Sequence, residues 1–266
     1  MFLPRPAVHR FLSYVTRPWW TILMLFDPHV GREYRVGFAA KLILIWKIRK
    51  ASRNPGSATN FFEQLYIVKE LLQIASHREG AVAEFGCYKG LSTASLSLVC
   101  ALTKRRLLIF DSFEGLPDPE GAVHHFQDEA AVVYTRGQYT GTLDEVKANV
   151  KQFGDISVCE FVSGYFENTL SRRSPTEKFV LIFEDADLPQ SVRSVLCGAW
   201  KKLQPEGIFF CHEARDREIV DLFFDHSWWI QNIGEAAPGF VGSGGGMMSG
   251  PGLDCCSLGF AVRRAA

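Results

Sequence analysis

The stretch Ala81-Val82-Ala83-Glu84-Phe85-Gly86-Cys87-Tyr88-Lys89-Gly90-Leu91-Ser92 decides the fold. Its first residues form a short apolar run around one acid, the pattern of a strand covered on both faces. Gly86 lets the backbone turn sharply after that strand, and residues 93–102 read as a helix. Free N–H groups where the helix starts suit an anion. The G-x-x-x-G spacing departs from the G-x-G-x-x-G of nicotinamide dinucleotide sites, and Cys87 and Tyr88 would crowd a pyrophosphate. A smaller anion, such as the carboxylate of an amino-acid moiety, fits this loop better. Gly90 then lets the ligand approach, unless both glycines serve chain geometry alone.

Outward from this turn, strands and helices alternate. Phe61, Leu65, Val68, Leu71, Leu72 and Ala75 recur at three- and four-residue spacing, an amphipathic helix that ends near Gly80. Further strands are expected at residues 106–110, 156–162, 179–183, 207–211 and 258–262, with helices at 142–153 and 190–203. This order predicts a parallel sheet with helices on both faces, and a ligand at the carboxyl ends of its strands.

The chemically suggestive residues fall at those ends. Asp111 follows the glycine loop by about 20 residues, the place from which a carboxylate accepts from both hydroxyls of a ribose. The alternative is a helix cap. Loop and Asp111 together point to a nucleoside-containing ligand. Glu184-Asp185-Ala186-Asp187 ends the fourth strand and His212-Glu213 the fifth. Clustered carboxylates raise one another's pKa unless compensated. A divalent cation would compensate them, and oxygen ligands with one imidazole suit Mg²⁺ or Mn²⁺. Otherwise Asp187 caps the next helix and His212 is an ordinary strand-end histidine.

Composition limits the function. The 266 residues carry 29 Lys+Arg against 29 Asp+Glu, which argues against a nucleic-acid partner. At 47% hydrophobic and 22% charged, the chain is not extensively disordered. The cysteines, at positions 87, 100, 159, 197, 211, 255 and 256, show no C-x-x-C spacing, and the adjacent Cys255-Cys256 is a poor structural disulfide. Buried thiols in a reducing, cytoplasmic compartment are expected. Residues 19–26 end at Asp27 and residues 36–48 contain Lys41 and Lys47, so neither run reaches the roughly 20 apolar residues of a membrane span. Arg5, Arg10 and Arg17 break the early apolar stretches, so no signal peptide is expected. Residues 1–58, rich in Trp, Phe, Arg and Pro, are expected to form an N-terminal helical extension. Its role is a lid, a dimer contact or a peripheral membrane contact; residues 59–266 form the ligand-binding domain. The glycine-rich residues 239–252 form a loop, either a rim over the pocket or a plain connection.

Several phrases resemble one family. They are Ala83-Glu84-Phe85-Gly86-Cys87-Tyr88-Lys89-Gly90, Phe110-Asp111-Ser112-Phe113-Glu114-Gly115-Leu116-Pro117, Thr142-Leu143-Asp144-Glu145-Val146, Gly164-Tyr165-Phe166 and Asp185-Ala186-Asp187-Leu188. Over residues 60–225 the chain is similar to the macrocin O-methyltransferase (TylF/MycF) family, class I enzymes dependent on S-adenosylmethionine (SAM). The resemblance implies a Rossmann-like α/β fold with a mostly parallel seven-stranded sheet. It implies a SAM site in which the methionine end lies over Gly86 and Gly90, within the loop that also carries Glu84, Tyr88 and Ser92. The ribose would sit on Asp111, and the adenine against Ser112, Phe113 and the Ser163-Gly164-Tyr165 turn. It further implies Mg²⁺ (or Mn²⁺) at Asp185, His212 and Glu213, although His-Glu stands where the family carries Asp-Asp.

The expected reaction is methyl transfer to a hydroxyl of a small molecule such as a sugar or natural-product glycoside, with Asp185 and His212 catalytic. A bound cation would lower the pKa of the hydroxyl. Without one, His212 is the general base, helped by Asp185. The alternatives are metal-independent transfer and a non-catalytic SAM-fold binding protein. His124 and His125, in the long insertion, either reach the acceptor or are solvated. A homo-oligomer is expected.

Overall fold

Strand β1, Ala81–Phe85, is buried along its whole length because it lies inside a sheet with neighbours on both sides. A computed structural model describes residues 27–54, 56–120, 124–125, 131–242 and 257–264. In chain order its elements are α1 (Phe38–Ser52), α2 (Phe61–Gln73), β1, α3 (Leu91–Thr103), β2 (Leu107–Asp111), β3 (His124–His125) and β4 (Ala131–Val132). They continue with α4 (Leu143–Phe153), β5 (Cys159–Ser163), α5 (Phe166–Leu170), β6 (Phe179–Glu184), α6 (Pro189–Ala199), β7 (Leu203–Cys211), α7 (Arg217–Leu222), α8 (His226–Asn232) and β8 (Gly259–Val262).

The main sheet has the order β5-β2-β1-β6-β7-β8, parallel except for β8, which pairs antiparallel with β7. Six strands form it among the described residues, not the expected seven. The strand order reverses between β1 and β6, where Phe85 lies beside Glu184. Alternate residues of β1 feed two cores. Val82 joins Leu65, Val68, Leu71, Val99, Val146 and Val150 on one face. Ala83 and Phe85 join Val192, Val195, Leu196, Ile219 and Trp229 on the other. The expected two helical layers are present.

Helix α2 starts at a capping box: the Asn60 side chain accepts from the Glu63 N–H, and Glu63 accepts from the Asn60 N–H. Helix α1 lies within the proposed extension, yet its Leu44 and Ile48 are buried in the same core as β1, together with Val30 and Val36. Its other face exposes Leu42, Ile43 and Trp46. The five described cysteines are unpaired; Cys87, Cys100 and Cys211 are buried as expected, whereas Cys197 on α6 is exposed. No helix among the described residues is long and apolar enough to cross a membrane. Residues 1–26, the glycine-rich positions 243–252 and Cys255-Cys256 lie outside the described residues.

Candidate active site

At the switch point, the turn after β1 presses against the end of β6. The Asp185 N–H donates to Phe85 O at 2.8 Å and the Gly86 N–H donates to Phe110 O at 2.9 Å. Gly86 has φ +82°, and a Cβ there would stand 2.0 Å from the Asp185 carbonyl oxygen. Only glycine fits. Gly90, the N-cap of α3, has φ +76°, and a Cβ there would meet Val146 Cγ1 at 2.7 Å. Its missing side chain admits helix α4, the chain-geometry alternative for this glycine.

Above this junction opens a cavity of about 510 Å³, lined by Gly86, Tyr88, Asp111, Ser112, Tyr165, Asp185 and His212 among others. Asp111 organises its floor. Its Oδ2 accepts from the Cys87 N–H and its Oδ1 from the Phe113 N–H, both at 2.7 Å. Burial raises the Asp111 pKa, against the pull of those N–H groups. Tyr88, Tyr139 and Asp187 line the cavity with left-handed backbones, φ 47°, 56° and 62°. Such strain persists where surrounding structure imposes it, often at functional sites. The Tyr88 and Tyr139 rings meet edge to face at 5.7 Å, giving the cavity an aromatic wall.

Beneath the loop, Glu84 is fully buried, out of the cavity lining. Burial pushes its pKa up to about 8, while the nearby Thr93 and Ser92 hydroxyls pull the other way.

The acidic rim is built differently from the sequence expectation. His212 Nδ1 lies 3.0 Å from Asp185 Oδ1, and its Nε2 lies 3.2 Å from Glu63 Oε2. Burial opposes a charged ring, but the two carboxylates prevail and raise its pKa well above the usual value. Glu213 turns inward: its Oε1 accepts from the Asp187 N–H at 3.1 Å, and its Oε2 from the Cys211 thiol at 3.1 Å. Burial, with the charges of Glu184 and Asp185, holds the Glu213 carboxyl well above its ordinary range. Glu184 is pushed up to about 7 by burial, and Asp187 to about 8 by burial and by Asp185.

Asp185, His212 and Glu213 do place one ligand atom each within 4.8 Å of one another. As arranged, they do not fit a divalent cation. Both ring nitrogens of His212 face carboxylates, Nδ1 toward Asp185 and Nε2 toward Glu63, so neither is directed at an open coordination position.

The structure thus gathers Gly86, Tyr88, Asp111, Ser112, Tyr165, Asp185 and His212 around one cavity. Glu84, Gly90 and Ser92 stand behind the loop, and Phe113 turns into the core. Ser163 is exposed, and the Gly164 N–H supports the floor by donating to Asp111 O at 2.9 Å. His124 and His125 form β3, paired with β4; their side chains lie outside the description. Sequence reasoning missed Tyr139 and Arg193 in the lining and Glu63 behind His212. The Asn60-x-x-Glu63 box signalled a helix start, not a site.

A parallel sheet reversing at β1/β6, with a glycine turn, a strand-end Asp111 and an open crevice above them, is the architecture of class I methyltransferases. Residues 66–221 match the profile of macrocin-O-methyltransferase (TylF), and the chain belongs to this family. A similar curated protein is the 8-demethyl-8-(2,3-dimethoxy-alpha-L-rhamnosyl)-tetracenomycin-C 4'-O-methyltransferase of Streptomyces olivaceus. It is 30% identical over 132 residues, 48% of this chain and 50% of that protein, so the match spans about half the relative's length. Among solved structures, the O-methyltransferase NovP shares the fold with a TM-score of 0.60 at 16% identity, covering 93% of this chain and 99% of that one. The calicheamicin methyltransferase CalS11 does so with a TM-score of 0.56 at 15% identity, covering 84% and 92%.

Proposed function

We propose that this chain is a SAM-dependent O-methyltransferase acting on a hydroxyl of a small hydroxylated acceptor, such as a sugar or natural-product glycoside. The single observation that carries this reading is the crevice at β1/β6, with Gly86 and Asp111 on one side and Asp185 with His212 on the other. The methionine end of SAM lies over Gly86 and above Glu84. Its ribose hydroxyls donate to Asp111, and its adenine lies toward Ser112 and Tyr165. The tetracenomycin relative acts on a rhamnosyl group by its name, which supports a glycoside acceptor. The aromatic wall of Tyr88 and Tyr139 suits the apolar face of such a ring.

The sulfonium already activates the methyl group. What the protein adds is placement of the acceptor oxygen in line with it, an effect that reaches about 7–11 kcal/mol in well-oriented reactions. The new O–C bond forms as the S–C bond breaks, and the hydroxyl proton leaves to a base. Asp185 lines the cavity and takes that proton. His212 fixes Asp185 through Nδ1 and, with Nε2 turned to Glu63, is not itself the base. A divalent cation, which the family resemblance implies, has no part in these steps: both ring nitrogens of His212 face carboxylates, and Glu213 turns inward to the Asp187 N–H and the Cys211 thiol.

Residues 1–58 are proposed to serve as a cover for the acceptor side. Ala58, at the end of that extension, lines the cavity. The residues that follow, 59–266, form the methyl-transferring unit.

The test is transfer of a labelled methyl group from SAM into a panel of glycosides, with and without EDTA. Labelled methyl ether in both arms is expected. Transfer to no hydroxylated acceptor refutes the activity, and transfer abolished by EDTA and restored by Mg²⁺ refutes the metal-free mechanism.

A further inference from the structure

The charge of this chain is balanced only in total. Up to Arg53 it carries ten Lys+Arg against two Asp+Glu, and beyond that point 19 against 27. Helix α1 lies in the cationic part and contains four basic residues and no acid. Lys41 is buried, and its Nζ donates to the Asp27 carbonyl at 3.0 Å. Lys47, Arg49 and Lys50 are exposed, as is Arg53 one turn further on.

Leu42, Ile43 and Trp46 share that solvent side, at 44%, 57% and 61% exposure. Positions 42, 46, 49 and 53, and 43, 46 and 50, follow helical spacing, so the exposed residues form one stripe about 120° wide. Leu44, Ile48 and Ala51 are buried on the opposite side. The stripe is apolar along its first half and cationic along its second. Lys50 Nζ joins the halves, 5.6 Å from the centroid of the Trp46 ring.

Whatever covers this stripe must bring apolar groups to one half and negative charge to the other. A second copy of α1 would set like charge against like. Residues 1–26, which join the fold at Asp27, contain Arg5, Arg10 and Arg17 and no acid, so they supply no counter-charge. A bilayer of anionic phospholipid supplies both: phosphates for the basic half and acyl chains for the apolar half. Indole rings settle at the boundary between those layers, where Trp46 stands between the halves. At 15 residues, α1 is too short to span a bilayer and long enough to lie along one.

We propose that the solvent stripe of α1 is a docking surface for an anionic phospholipid bilayer. The helix lies flat on it, with Leu42, Ile43 and Trp46 inserted and Arg49, Lys50 and Arg53 among the phosphates. The opposite side of α1 is packed into the core that holds β1, so docking the helix holds the whole sheet at the surface. This inference goes beyond methyl transfer and does not depend on it.

The experiment is co-sedimentation of the full chain with vesicles of phosphatidylcholine alone, or with about one third phosphatidylglycerol. Binding to the mixed vesicles should be at least about tenfold tighter and should fall steeply in about 0.5 M NaCl, which screens exposed charges. Ile43→Ser with Trp46→Ser should weaken that binding at least about tenfold. Lys50→Glu with Arg53→Glu should erase the preference for phosphatidylglycerol. All four positions are exposed, so circular dichroism should stay unchanged. Brominated acyl chains should quench part of the tryptophan fluorescence, and Trp46→Phe should lose that part.

No binding to the mixed vesicles overturns the proposal. So does binding that neither pair of substitutions weakens, which would place the contact elsewhere on the chain. A dimer that Ile43→Ser with Trp46→Ser dissolves, seen by analytical ultracentrifugation, would give the stripe to a second copy and overturn it as well. If either pair fails to fold, quenching in the unmodified protein compared with Trp46→Phe decides.

Discussion

Gly86 shows how closely single residues are constrained at the switch point. A methyl group there would strike the Asp185 carbonyl, and the backbone has φ +82°. The left-handed conformation alone costs an ordinary residue roughly 1–2 kcal/mol. Gly86→Ala should therefore lower unfolding free energy by at least about 2 kcal/mol in urea titrations; a change within about 0.5 kcal/mol would mean that β1 and β6 do not meet as described. Asp111 braces the turn and, as proposed, accepts from the ribose. Asp111→Ala should weaken S-adenosylhomocysteine binding about 10- to 100-fold, the worth of one hydrogen bond to a charged group, read by calorimetry. Unchanged affinity would remove it from the ligand site. Glu84 has an opposite dependence on pH from most acids. Its folded pKa of about 8 exceeds the ordinary 4.5, so the folded state binds the extra proton between those values. Stability from this group is full below about pH 4.5 and falls as pH rises toward 8. Glu84→Gln should therefore gain in melting temperature relative to the unmodified protein as pH rises from the lower value to the upper. Parallel curves would show that Glu84 is ionised in the fold.

At the scale of elements, the strands were legible because each carries an apolar run, closed at β1 by Gly86, at β2 by Asp111 and at β6 by Glu184. Residues 81–85 match strand β1, and residues 179–183 match β6 to within one position. The last strand was legible for the same reason, and Leu258 packs into the core just before it. Short elements were not. Helix α5, Phe166–Leu170, is too brief to show a period, and the β3–β4 hairpin rests on two residues a side. Helices α7 and α8 start at Asp216 and Asp225, whose side chains cap them, a signal that was present and unread. The site residues divide along the same line. Asp111, Asp185 and His212 stand at strand ends, where topology alone placed them. Glu63 became visible only once folding brought α2 against β7, because no local pattern links a capping-box acid to a distant histidine. Helix α1 is the element on which the domain boundary turns. Ile48 is fully buried against the core that holds β1, so Ile48→Ala should cost about 2–5 kcal/mol in denaturant titrations. A cost within about 0.5 kcal/mol would make residues 1–58 an appendage rather than part of the folded unit.

For the whole molecule, a topological feature and a chemical one coincide. The sheet reverses direction between β1 and β6, and the strand-end loops that carry Gly86, Asp111, Asp185 and His212 gather around the crevice there. A donor bound along β1 and β2 and an acceptor bound along β6 and β7 would meet across that line. A crystal structure with S-adenosylhomocysteine tests this most directly. The expected result is homocysteine over Gly86, ribose hydroxyls on Asp111 and the sulfur facing Asp185 across the crevice. A ligand seated elsewhere on the molecule, or a crevice that stays closed to it at saturating concentration, would contradict that arrangement.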